Sequence, residues 1–271
     1  MKAPVRFSLL VVVLGSYGTI LLPKPLLAES VPVRQTEGLI HGFLVLRALN
    51  GDSLATGDLT QVAHGDRVSA DLVFRFKDGS IQEETSVFLQ RGTFRLLAYH
   101  LVQKGPTFKR PTDMTLNAST GQVIVHYVDD GKEKTATDQL KLPVDVANGI
   151  VTTLMNHIDP KAAKTELSMV VSTPKPRLVK LAISPEGEDS FSVGGSVLKA
   201  TRYVIKIEIG GISGVVAPIV GKQPPDTHVW MLRGKAPAFL KSEGPLSDDG
   251  PIWRIELASP VWPGSDTGQK R

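Results

Sequence analysis

The 271-residue chain contains no cysteine. Disulfide staples, thiolate metal sites and lipid attachment at a processed cysteine are therefore excluded, and the hydrophobic core alone must hold the fold. Aromatic residues are scarce, at 6%, which favours an aliphatic core over a sugar-stacking surface. Beyond the first 28 residues there is no long apolar run, so no membrane span is expected in the body of the protein. A linker rich in proline, glycine and serine is also lacking, as are internal repeats. Residues 38–260 accordingly read as a single β-rich domain.

An excess of one charge is lacking too, once its source is located. The chain carries 31 Lys and Arg against 27 Asp and Glu, a formal +4. Lys2, Arg6 and Lys24 all lie in Met1–Ala28, which has no acid. Without that segment 28 cations face 27 acids, a formal +1. A nearly neutral body has no footprint for a phosphate backbone, which disfavours nucleic acid as a partner.

Met1–Ala28 is the most informative stretch present. Lys2 and Arg6 precede an apolar run from Phe7 to Leu22, and Ala28 closes the segment before Glu29. That is the layout of a secretory signal peptide, so the protein is expected to be exported, to the periplasm or beyond the cell. The bulk of Leu26, where a small residue is usual, leaves the cleavage position open, and an uncleaved N-terminal anchor is the alternative. Residues 29–37 read as an extended leader and Val261–Arg271 as a disordered tail.

From Gly38 onward strand patterns alternate with turn residues. Ile40–Arg47 precedes the turn Asn50-Gly51-Asp52. Arg67–Lys77 places Val68, Ala70, Leu72, Phe74 and Phe76 on one face, the period of a half-buried strand. Asp78-Gly79 marks a hairpin to a returning strand over Ser80–Gln90. Further strands are expected over Thr93–Gln103, Asp113–Asn117, Gln122–Val128 and Lys132–Leu140. After residue 165 they continue over Glu166–Ser172, Arg177–Ser184, Ser190–Val193, Lys199–Gly210, Thr227–Met231, Phe239–Gly244 and Pro251–Ser259. The period changes once. Val146, Ala147, Ile150, Val151, Leu154, Met155 and Ile158 follow three- and four-residue spacing, which predicts an amphipathic helix from about Val144 to Ile158. Pro143 and Pro160 bracket it.

No recognised catalytic or metal-binding motif is present. The six histidines show no pair at ligand spacing, and neither Gly211-Ile212-Ser213-Gly214 nor Gly194-Gly195-Ser196 matches a nucleophile elbow. Adjacent carboxylates at Glu83-Glu84, Asp129-Asp130 and Asp248-Asp249 cannot act together on a strand, because neighbours point to opposite faces. Asp226 and His228 share a face beside Trp230 and are the best pair for proton chemistry, against a plain structural turn. The apolar set Ile150, Leu154, Met155, Ile212, Val215, Val216, Ile219 and Val220 either belongs to the core or lines a groove for an apolar ligand. No metal or cofactor is implied.

The segments FRLLAYHLVQKGPTFKRPTDMTLNASTGQVIVHYVDDGKEK, LPVDVANGI, KATRYVIKIEIGG, PPDTHVWM and GPIWRIEL span about two thirds of the chain. Their order resembles a family of uncharacterised bacterial exported proteins classed under domains of unknown function. That resemblance implies an architecture similar to the half-barrels of periplasmic lipoprotein carriers, in which a curved antiparallel sheet wraps a helix and leaves an apolar concavity. It transfers no functional residue. The expected fold is mainly β, a single curved antiparallel sheet of about ten or more strands forming a half-barrel or partial barrel around one amphipathic helix. The first expectation for function is a non-enzymatic binding or carrier protein for a lipid or other apolar ligand. An envelope interaction module pairing through a sheet edge is the alternative, and a hydrolase with an unrecognised site is the third.

Overall fold

The computed structural model describes residues 30–129, 131–159, 161–172, 175–193, 196–208, 224–234, 237–247 and 250–258. The first eight strands are β1 Ile40–Ala48, β2 Ser53–His64, β3 Arg67–Phe76, β4 Ile81–Arg91, β5 Thr93–Lys104, β6 Thr112–Asn117, β7 Gln122–Asp129 and β8 Lys132–Gln139. A short helix α1, Val151–Met155, separates them from β9 Thr165–Val171, β10 Arg177–Val193, β11 Ser196–Glu208, β12 Thr227–Leu232, β13 Ala238–Pro245 and β14 Ile252–Leu257. All fourteen form one antiparallel sheet in the order β8-β7-β6-β5-β4-β3-β2-β1-β14-β13-β12-β11-β10-β9. The chain thus meanders outward from β1 to one edge, crosses over, and returns from the far edge to β14 beside β1. Among the described residues β8 and β9 do not pair, so the sheet is not closed into a barrel.

The sheet curls on itself. Gln103 on β5 donates to the carbonyl of Leu246, just after β13, at 2.8 Å, although five strands separate β5 from β13 in the sheet. One core cluster joins Phe88, Leu96, Leu116 and Val125 of the first wing to Leu167, Ile183, Tyr203 and Met231 of the second. A second cluster gathers Leu44, Leu46, Phe74 and Phe76 where β1, β2 and β3 meet, with Phe108 from the β5–β6 connection. Period-two alternation accounts for the walls: Val68, Phe74 and Phe76 are buried as the pattern of β3 requires. At Gly57, opposite Phe74, a Cβ would meet that ring at 2.5 Å, so the missing side chain is what admits the phenyl group.

The crossover between the two edges fills the space between the wings, and it corrects the expected helix. Only Val151–Met155 is helical, in place of Val144–Ile158. Between two turns, Val146 instead forms an isolated bridge to Ser168 of β9: Ala147 N–H donates to Ser168 O at 2.8 Å and Ser168 N–H to Asp145 O at 3.1 Å. The side chain of Asn148 continues the ladder, accepting from Val170 N–H at 2.9 Å and donating to its carbonyl at 2.7 Å. Gly149 then turns the chain with φ +72°, a conformation that no right-handed helix contains. Val146, Ala147, Ile150, Leu154, Met155 and Ile158 still enter the main core. The apolar spacing therefore located buried positions, but the backbone carrying them is a pair of turns around a single bridge to β9, followed by one and a half helical turns.

Gly149 offers a direct check on this crossover. A Cβ there would lie 2.8 Å from the Tyr99 ring and 3.1 Å from Ser86 Cβ. Gly149→Ala should cost about 2–4 kcal/mol, combining left-handed backbone strain with overpacking. The expected result is a lower urea midpoint with an unchanged slope. A midpoint equal to wild type would show that the crossover is looser than described.

Candidate functional site

Register across β1–β7 sets the inner surface of the first wing. One row of cross-strand partners runs Gly42, Leu59, Leu72, Glu84, Leu101, Met114, Val125. Glu84 is the only charged residue in that row. Leu59, Leu72 and Glu84 are half-buried, whereas Met114 and Val125 are fully covered. The inner surface is therefore sealed toward β6 and β7 and only partly covered at Leu59, Leu72 and Glu84, whereas Gly57, Phe74, Gln82 and Phe88 around them are buried.

Glu84 sits in a chain of polar side chains that faces inward. Tyr99 hydroxyl donates to Glu84 Oε2 at 3.2 Å and Gln82 Nε2 to Oε1 at 2.6 Å. Gln103 Nε2 donates in turn to Gln82 Oε1 at 2.7 Å. Burial raises the pKa of Glu84, against the opposing hydrogen bonds from Tyr99 and Gln82. Burial, then the charge of Glu84 and the hydrogen bond to it, push the Tyr99 hydroxyl well above 10. Both shifts follow from placing a carboxyl group in a low-dielectric wall.

At the rim near the second cluster lies a cavity of about 160 Å3. Leu54, Phe76 and Trp253 form its apolar walls, with Ser53, Lys77, Asp78 and Thr107 around them. The Phe76 ring packs against Phe108 at 5.5 Å and Trp253 at 5.7 Å between centroids. The β3–β4 turn is braced by Asp78, which accepts from Ser80 N–H at 2.9 Å and Thr107 hydroxyl at 2.7 Å. The Thr107 and Ser80 bonds lower the pKa of Asp78.

The sequence-predicted lining residues divide into two groups. Ile150, Leu154 and Met155 are all buried in the main cluster. Ile212, Val215, Val216, Ile219 and Val220 lie outside the described residues, as do Met1–Ala28, the tail from Val261, and the turns Gly194-Gly195 and Asp248-Asp249. Asp226 and His228 turn to different partners: Asp226 pairs with Lys206 at 3.7 Å and His228 with Glu186 at 3.3 Å. Trp230 is buried on that outer face, donating to Asp189 at 2.6 Å beneath the Lys241 ammonium, 4.0 Å from its ring. This is an ion-pair lattice tying β10 to β13. Among the described residues, no three His, Asp or Glu side chains are grouped to hold a metal. No described helix is long and apolar enough to cross a membrane. No sequence pattern marks Glu84 and its glutamine neighbours as a site, because their strand carries polar residues on its inner face.

No protein-family model matches the chain, and no curated protein matches it. Among solved structures it is similar to a β-barrel-like protein of a domain of unknown function, DUF1849, from Brucella abortus. The two share 10% identity with a TM-score of 0.44, over 82% of this chain and 94% of that one.

Proposed function

We propose that this protein is an exported, non-enzymatic binding or carrier protein that holds a lipid or other apolar ligand in the concavity of its sheet. The apolar cavity between Leu54, Phe76 and Trp253 carries the reading. At about 160 Å3 it is smaller than the ~300–1,000 Å3 of a site for a drug-sized ligand. It suits the end of an acyl chain or a small ring, with the remainder lying along half-buried Leu59 and Leu72. Export rests on the signal-peptide layout of Met1–Ala28, and the half-barrel of periplasmic lipoprotein carriers is the architectural parallel.

Native mass spectrometry of the protein purified from its host by gentle extraction tests the reading. The expected spectrum carries an added mass that disappears under denaturing conditions and fragments as an apolar molecule. A bare protein mass, together with no displacement of an apolar fluorescent dye by added lipid, would overturn it.

A further inference from the structure

We infer that Glu84 is the recognition point for the polar end of a cationic amphiphile, a long-chain primary amine or a lipid with an ammonium head, bound against the inner face of β2–β5. The inference rests on the carrier reading and deepens it by naming the ligand's charge.

Every other member of the Glu84 row is apolar or glycine, from Gly42 to Val125. Leu72 and Leu101 are its direct cross-strand partners on either side. A carboxylate in such a wall is costly unless it is paired. Its two hydrogen bonds come from neutral groups, Tyr99 and Gln82. Among the described residues no lysine, arginine or histidine forms an ion pair with it, although carboxylates elsewhere on the protein are paired repeatedly. Burial alone drives its raised pKa, and no neighbouring cation offsets it. Each carboxylate oxygen accepts one bond and retains a lone pair, and the residue is half-buried rather than fully covered. The missing partner is a positive charge delivered with an apolar body, since Leu59, Leu72 and Leu101 surround the position. An anionic amphiphile would instead bring like charge against Glu84, and a neutral one would leave it uncompensated.

Glu84→Gln separates recognition from folding. A glutamine keeps the shape, accepts from Gln82 through its oxygen and donates to the Tyr99 hydroxyl through its amide. Because burial disfavours the charged form, E84Q should be at least as thermally stable as wild type at neutral pH. The measurement is titration of the signal-processed protein, freed of co-purified ligand, with dodecylamine, dodecanol and dodecanoate below their micellar concentrations. Wild type should bind dodecylamine at least about tenfold more tightly than dodecanol, the order of one well-placed buried charge pair, and dodecanoate most weakly. In E84Q the advantage of the amine should vanish while dodecanol binding is retained. Glu83→Gln, on the opposite face of the same strand, should leave all three affinities unchanged. Equal affinities for amine and alcohol in wild type would overturn the inference and leave the carrier reading standing; this comparison needs no variant. Failure of all three probes to bind would overturn both.

Discussion

Replacing Asp145 by alanine should destabilise the protein by about 3–5 kcal/mol, the cost of deleting one partner of a buried ion pair. Its side chain is fully buried, and Lys180, 16% exposed, reaches it at 3.0 Å. Ser168 hydroxyl donates to the other oxygen at 3.0 Å. Alanine would strand the Lys180 ammonium, which among the described residues forms no second ion pair, and would leave the Ser168 hydroxyl without its acceptor. The loss is concentrated where the crossover meets β9, since Asp145 O also accepts from Ser168 N–H. For a chain of this size the melting temperature should fall by roughly 6–20 °C, at about 2–4 °C per kcal/mol. The double variant D145A/K180M removes both charges, so its stability should lie nearer wild type than that of D145A. A cycle in which the two single losses simply add would refute a coupled pair. The same contact bears on the edge-pairing alternative. The crossover already occupies the β9 edge at Ser168 and Val170, and the β8 edge carries Lys132, Glu133, Lys134 and Asp138, charges of the kind that discourage strand addition.

Sequence reasoning reached furthest where one physical rule controlled an element. Alternation in Arg67–Phe76 identified both the strand and its buried face, and Asp78-Gly79 marked the hairpin that follows. It failed at β2, where inward Gly57 and Gln61 interrupt the apolar series. Those positions are filled from outside the strand: the Phe74 ring covers Gly57, and Gln61 bonds to Glu37. It also divided β10 in two at Pro185-Glu186-Gly187, where the strand instead continues through a register shift. The crossover shows a subtler failure. Three- and four-residue spacing reports which side chains are buried, and turns bridged to a sheet edge can satisfy it as well as a helix. Glu84 was illegible for a related reason. Period two places Glu83 and Glu84 on opposite faces without saying which faces inward. On β4 the inner positions are Gln82, Glu84, Ser86, Phe88 and Gln90, so the apolar majority points the wrong way.

Glu37 should make the protein acid-sensitive, and its removal should be nearly as damaging as that of Asp145. The carboxylate accepts from His157 Nε2 at 2.9 Å and Gln61 Nε2 at 3.0 Å. Gln90 brackets its backbone, accepting from Glu37 N–H and donating to its carbonyl. His157 is fully buried against the Phe94 ring, and its Nδ1 accepts Arg34 N–H at 3.2 Å. That bond leaves the ring proton on Nε2, facing Glu37. Residues 31–37 are thereby latched to the end of the crossover, and the Arg34–Asp159 pair at 3.1 Å adds a surface tie. No local pattern could have disclosed a bond spanning 120 positions. Glu37→Ala should cost about 2–5 kcal/mol, because two buried donors lose a charged acceptor. Glu37→Gln should cost less but more than a surface change, since His157 and Gln61 reach different carboxylate oxygens and one of these becomes a donor NH2 in glutamine. Burial pushes the Glu37 pKa up, yet the hydrogen bonds from His157 and Gln61 outweigh it and hold the group below its ordinary 4.5. The unfolded chain therefore takes up this proton first as the pH falls. The stabilisation is complete above about pH 4.5 and is lost as the pH drops through the lower folded-state value. Urea midpoints measured from about pH 7 to pH 3 should decline more steeply in wild type than in E37Q over the acid part of that range. Parallel declines would show that Glu37 does not carry this proton uptake, and the latch would then have to be held by its neutral hydrogen bonds alone.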